Sequence, residues 1–93
     1  MKKKIVIFGS TGSIGKNILN ILKKDKNKIQ ILLLTANTNY REILKQVKIF
    51  DVKNIIITNN DKFLILKKIL KYRKINIYNN FGVINKIFKK KRY

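Results

Sequence analysis

The chain has 93 residues, 45% of them hydrophobic, which is enough for one small domain with a modest core. A formal net charge of +19, from 23 Lys and Arg against Asp25, Glu42, Asp51 and Asp61, raises a polyanion as a partner, while the absence of Cys and His removes disulfides, thiol nucleophiles and imidazole chemistry. The apolar run in MKKKIVIFG is shorter than a signal peptide's core and nothing later approaches membrane-spanning length, so the chain reads as cytoplasmic with no membrane partner.

Lys4 to Phe8 is a β-branched apolar run without alternation, the pattern of a strand covered on both faces of a parallel sheet; it ends at Gly9. From Ser13 to about Lys24, Ile14, Ile18, Ile21 and Leu22 follow helical spacing and are expected to form the buried face of a first helix. Asp25 to Lys28 is a polar connection, Ile29 to Thr35 a second strand, and Ala36-Asn37-Thr38-Asn39 a polar turn. A second helix carries Tyr40, Ile43, Leu44 and Val47 on one face, with Asn39 placed to cap it. Asn54 to Thr58 is a third strand. Asn60 or Asp61 caps a third helix, to about Lys71, with Phe63, Leu66 and Leu70 inward. Ile75 to Tyr78 is a fourth strand, and Val83 to about Phe88 begins a fourth helix before the chain runs into KKKRY.

Strands separated by helices of this length require crossover connections, since a tight turn cannot join parallel neighbours. The fold class is therefore α/β, a Rossmann-like parallel sheet with flanking helices, in one domain over residues 1–88 followed by a basic tail over residues 89–93. The basic residues are spread along the whole chain, without a zinc-finger, RNP or helix-turn-helix pattern. Lys, Ile and Asn make up more than half of the residues and Ala36 is the only alanine, as expected of an AT-rich coding sequence. The charge then reads mainly as a solvated surface, with only a non-specific, salt-dependent affinity for nucleic acid.

Three of the four glycines stand in GSTGSIG, between the first strand and the first helix. A simple strand-to-helix turn needs one glycine. A dinucleotide-binding turn needs three: one to bend sharply, one to let backbone approach a diphosphate, and one to bring helix and sheet together. Gly9, Gly12 and Gly15 suit those roles, and Ser10, Thr11 and Ser13 add hydroxyl donors. The helix that follows offers unpaired N–H groups and the positive end of its dipole to an anion. An NAD site usually carries a carboxylate roughly 20 residues beyond these glycines. Here Thr35 to Asn39 contain none, and Arg41 lies close by, so NADPH is the expected cofactor.

KIVIFGSTGSIG, then ILLLTANTN, then NIIIT resemble, in order and spacing, the N-terminal NADPH-binding domain of the 1-deoxy-D-xylulose 5-phosphate reductoisomerase family, over nearly the whole chain. The resemblance assigns Thr11, Gly12, Ser13 and Ile14 to the pyrophosphate, and Asn37, Thr38 and Asn39 to the adenosine-phosphate end. Many relatives have a glycine in place of Asn37 and a basic residue in place of Thr38, which leaves Arg41 or a lysine to hold the 2′-phosphate. The activity it implies is NADPH-dependent rearrangement and reduction of 1-deoxy-D-xylulose 5-phosphate to 2-C-methyl-D-erythritol 4-phosphate, a step of non-mevalonate isoprenoid synthesis. It also implies a divalent metal, Mg or Mn, held by carboxylates in segments beyond residue 93.

The four carboxylates here form no converging pair, so no catalytic residue is assigned and this chain alone is expected to be inactive. The expected partners are NADPH and either a separately encoded catalytic part or a homodimer partner. A basic nucleic-acid-binding fragment and a non-functional, frameshifted remnant are the alternatives. Another dinucleotide enzyme, of the extended short-chain dehydrogenase kind, would need Tyr-x-x-x-Lys, which neither Tyr40 nor Tyr72 begins.

Overall fold

β-Branched and leucine-rich runs between polar turns favour extended backbone, and they build four strands. In the computed structural model, which describes residues 2–91 and side chains as far as Phe88, these are β1 (Lys3–Ile7), β2 (Ile29–Ala36), β3 (Asn54–Ile57) and β4 (Asn76–Tyr78). Helices α1 (Ser13–Leu22), α2 (Tyr40–Phe50), α3 (Asn60–Ile69) and α4 (Ile84–Lys91) alternate with them, and short 3₁₀ turns stand at Lys23–Asp25 and Phe81–Val83. Every strand pair is parallel and the order is β1-β2-β3-β4, a Rossmann-like sheet as the alternation of elements requires. α4 takes in the start of the basic run; Arg92 and Tyr93, the rest of the expected tail, lie outside the described residues.

The sheet is covered unequally. On one face Ile7, Ile31, Leu34, Ile55 and Ile57 pack with Leu19 of α1, Ile43 and Val47 of α2, and Leu66 of α3. On the other, Leu33 and Ile56 meet Ile87 of α4, with Val6, Tyr78 and Phe88 around them. β1 is accordingly less buried than its run of apolar residues predicts: Ile7 is buried, Ile5 and Val6 half-buried, and Lys3 and Lys4 exposed.

A bulge makes this division of faces work. Ile5 pairs with Ile31 and Val6 with Leu33, so Leu32 has no partner on β1. The extra residue reverses the alternation of β2, and Ile29, Ile31, Leu34 and Ala36 all join the cluster under α1–α3. The Leu32 carbonyl accepts from buried Asn54 Nδ2 at 3.0 Å, and Asn54 Oδ1 accepts from Asn76 Nδ2 at 3.1 Å. A buried polar side chain in the middle of the sheet is thereby satisfied.

Two expectations are corrected. The buried residues of α1 are Gly15 and Leu19, whereas Ile14, Ile18 and Ile21 are 77%, 41% and 71% exposed. Periodicity finds an apolar stripe but cannot say which of two overlapping stripes meets the sheet; the close approach at Gly15 selects the one containing Leu19. α3 is capped by Asn59, whose Oδ1 accepts from Lys62 N at 3.1 Å, and not by Asn60 or Asp61. The Asn39 cap of α2 is as expected, accepting from Glu42 N at 3.2 Å. The rotation of α1 is testable by urea unfolding: Leu19→Ala should cost about 2–4 kcal/mol, whereas Ile21→Ala should stay within about 0.5 kcal/mol of the parent.

Candidate functional site

The turn from β1 to α1 is shaped by backbone constraints. Gly9 has a φ of +64°, a left-handed conformation that suits glycine. Its N–H donates to Thr35 Oγ1 at 2.9 Å, and the next N–H, of Ser10, donates to Thr35 O at 2.9 Å. Gly12 N–H closes the turn onto the Gly9 carbonyl at 3.1 Å. A Cβ at position 15 would lie 2.7 Å from Ser10 Cα and would overlap the Gly9 carbonyl, so only glycine lets α1 sit this close. Gly12 differs: its φ of −75° suits any residue, and a Cβ there would meet only the Gly9 carbonyl, at an ordinary 3.5 Å.

Thr11, Gly12, Ser13 and Ile14 come together around the start of α1, Thr11 half-buried and the other three exposed. α1 begins without a side-chain cap and without an acidic residue in its first turn. α2 and α3 have both, with Asn39 and Asn59 as caps and Glu42 and Asp61 in their first turns. The first amides of α1 are therefore left to solvent or to a ligand, with the helix dipole favouring an anion. Beside them opens a concavity of about 440 Å³ walled by Phe8, Ile14, Ile18 and the turn glycines.

Thr35 links this turn to the end of β2, so Asn37, Thr38 and Asn39, all exposed, begin two residues after the contact. Asn37 Oδ1 accepts from Thr58 Oγ1 at 2.8 Å, and Asn39 Oδ1 caps α2. With both oxygens engaged, the Nδ2 groups of the two asparagines are available to donate outward. Arg41 lies with its guanidinium 5.7 Å from the Tyr40 ring centroid, and Lys62 of α3 lies 5.6 Å from the same ring. The fold thus brings two cations beside the three polar residues. The resemblance had left a lysine open here without naming one; Lys62 is marked in the sequence by an unusual place, since a cation in a helix's first turn opposes the dipole.

One residue does other work than expected. Ser10 is fully buried, with its hydroxyl directed to Thr35 O at 3.5 Å, so it serves the turn and not a ligand. Thr35, in the second strand as expected, is 2% exposed and holds the turn. Gln46 was not anticipated. It lies on the buried face of α2 between Ile43 and Val47, and its Nε2 donates to Ser10 O at 2.9 Å. Its signal in the sequence is a polar residue at an apolar position. Among the described residues no three Asp or Glu side chains converge, so these carboxylates do not fit the divalent metal implied by the resemblance.

A family model described as 1-deoxy-D-xylulose 5-phosphate reductoisomerase matches residues 5–91. The chain belongs to this reductoisomerase family. The enzyme of Pelagibacter ubique (strain HTCC1062) is 55% identical over 86 residues, which are 92% of this chain and 22% of that one. That of Buchnera aphidicola subsp. Acyrthosiphon pisum (strain Tuc7) is 40% identical over 74 residues, 80% of this chain and 19% of the relative. The chain thus spans about a fifth of the length of the curated relatives it matches. The solved structure of the reductoisomerase from Zymomonas mobilis in complex with NADPH aligns with a TM-score of 0.78 at 24% identity, covering 84% of this chain and 21% of that one. A second reductoisomerase structure, in complex with magnesium, gives 0.76 at 24% identity over 91% of this chain and 22% of that one. Both likenesses show the fold.

The two inner glycines should separate in thermal and urea unfolding. Gly15→Ala should lose at least about 2 kcal/mol through backbone overlap, and Gly12→Ala should lose less than about 1 kcal/mol.

Proposed function

We propose that residues 1–88 act as the NADPH-binding domain of a 1-deoxy-D-xylulose 5-phosphate reductoisomerase. The observation that carries this reading is the uncapped start of α1 beside a glycine that the chain's own packing does not require. Gly12 is open on its outer side and conformationally ordinary, so the missing Cβ there serves something outside the chain. A diphosphate oxygen approaching the backbone at Gly12 is that something, received by the amides of Thr11, Ser13 and Ile14, while Gly12 N–H stays on the Gly9 carbonyl. Asn37, Thr38 and Asn39 then receive the adenosine 2′-phosphate, with Arg41 and Lys62 supplying charge that Thr38 lacks.

When bound, NADPH supplies the hydride for the reduction that accompanies rearrangement of 1-deoxy-D-xylulose 5-phosphate to 2-C-methyl-D-erythritol 4-phosphate in isoprenoid synthesis. What these residues do is bind and orient it. The metal-holding carboxylates and the substrate contacts of that reaction come from outside residues 1–93, through further segments, a separately encoded catalytic part or a second subunit, and the chain alone turns nothing over.

Fluorescence titration of the full chain tests the assignment. NADPH should bind saturably and keep its affinity within about tenfold between roughly 50 and 200 mM salt, since few phosphates are neutralised. NADH should bind more weakly, and Gly12→Ala should weaken NADPH about tenfold while the melting temperature hardly moves. Binding of duplex DNA alone, lost steeply with salt, would favour the nucleic-acid reading; binding of neither would leave a remnant with a family fold.

A further inference from the structure

The Ser10 carbonyl is held from the side of α2. Gln46 is 3% exposed, and its Nε2 donates both to Ser10 O at 2.9 Å and to Glu42 Oε2 at 3.3 Å. Both partners can only accept, so the amide nitrogen must face them; turned over, Gln46 Oε1 would meet a carbonyl and a carboxylate. Gln46 Oε1 is buried with no hydrogen-bond partner among the described residues. Packing does not account for such a side chain, because methionine would fill the same space without an orphan acceptor. The bond to the turn does account for it.

The Ser10 carbonyl and the Thr11 N–H belong to one planar trans peptide and point in opposite directions. Drawing the carbonyl toward α2 therefore aims the Thr11 N–H away from α2, and Gly12 and Ser13, which follow it, are exposed. We propose that Gln46 is a positioning residue of the dinucleotide site, which through the Ser10 carbonyl sets the orientation of the Ser10–Thr11 peptide and presents the Thr11 amide to the diphosphate. This inference rests on the reading that the turn takes NADPH. Glu42 extends the link, because its carboxylate accepts from Gln46 while its own N–H is capped by Asn39 at the adenosine end.

The test uses the full chain with Gln46→Met, which keeps length and burial but cannot donate, and Gln46→Glu, which donates only when protonated. Leu44→Ala, half-buried on α2 outside the network, controls for general loosening. Gln46→Met should raise the NADPH dissociation constant about tenfold, with Leu44→Ala within about twofold of the parent. In the cofactor-free chain the ¹⁵N–¹H resonance of Thr11 should move in Gln46→Met. In Gln46→Glu it should be displaced at neutral pH and return toward the parent position on acidification, as the new carboxyl regains a donor. A Thr11 resonance unmoved in both variants, or unchanged NADPH affinity in Gln46→Met, overturns the proposal. If the parent chain fails to bind NADPH, the cofactor reading falls by itself, and the Thr11 resonance still decides whether Gln46 orients the peptide.

Discussion

Thr35 grips two successive amides of the turn, that of Gly9 with its hydroxyl and that of Ser10 with its carbonyl. The rest of the site depends on this grip. It places the end of β1 against the end of β2 and leaves the Ser10 side chain no room but the interior. It also brings the backbone of residues 9–10 so near α1 that position 15 must lack a Cβ. Had position 35 carried a residue without a hydroxyl, the Gly9 N–H would have lost its partner, and an unpaired backbone donor beside a buried turn is unfavourable. Gln46 completes the arrangement from α2, so three consecutive elements hold a loop that has few side chains of its own.

Strand order has a consequence for where ligands can bind. Open α/β sheets bind at the carboxyl ends of strands, beside the point where strand order reverses. Here the order runs from β1 to β4 without reversal, and β1 has a strand on one side only among the described residues. The turn after β1 therefore lies at the edge of this sheet, next to exposed Phe8, Ile14 and Ile18, which line the concavity there. Phe81 approaches Phe8 with ring centroids 6.3 Å apart. The polar loops after β2 and β3 share the same end of the sheet, joined by Thr58 donating to Asn37.

The charge is largely uncompensated. One ion pair, exposed Lys53 with Asp51 at 3.1 Å, stands among the described residues, and pairs of that kind contribute little. Most cations project from helix surfaces and the strand ends of β1 into solvent, where they repel one another weakly at physiological salt. Arg41 and Lys62 differ in converging on one ring, that of Tyr40, from two helices. Net charge by itself could not distinguish these two from the others, because what matters for an anion is convergence and not number.

Local patterning was enough to read the four strands, the four helices, the parallel class of the sheet, the Asn39 cap and the family. Period, turn chemistry and glycine spacing are carried by neighbouring residues, so the sequence by itself determined them. It did not contain the decision between the two stripes of α1, which turns on the close approach of Gly15 to the Gly9–Ser10 backbone, or the β2 bulge at Leu32, the inward turn of Ser10 and the Gln46 link, which depend on a strand partner or on atoms 25 to 36 residues away. Only the tertiary structure settled these, because hydrogen bonds and close packing across the fold choose among local arrangements that the chain's own periodicity leaves equal in energy.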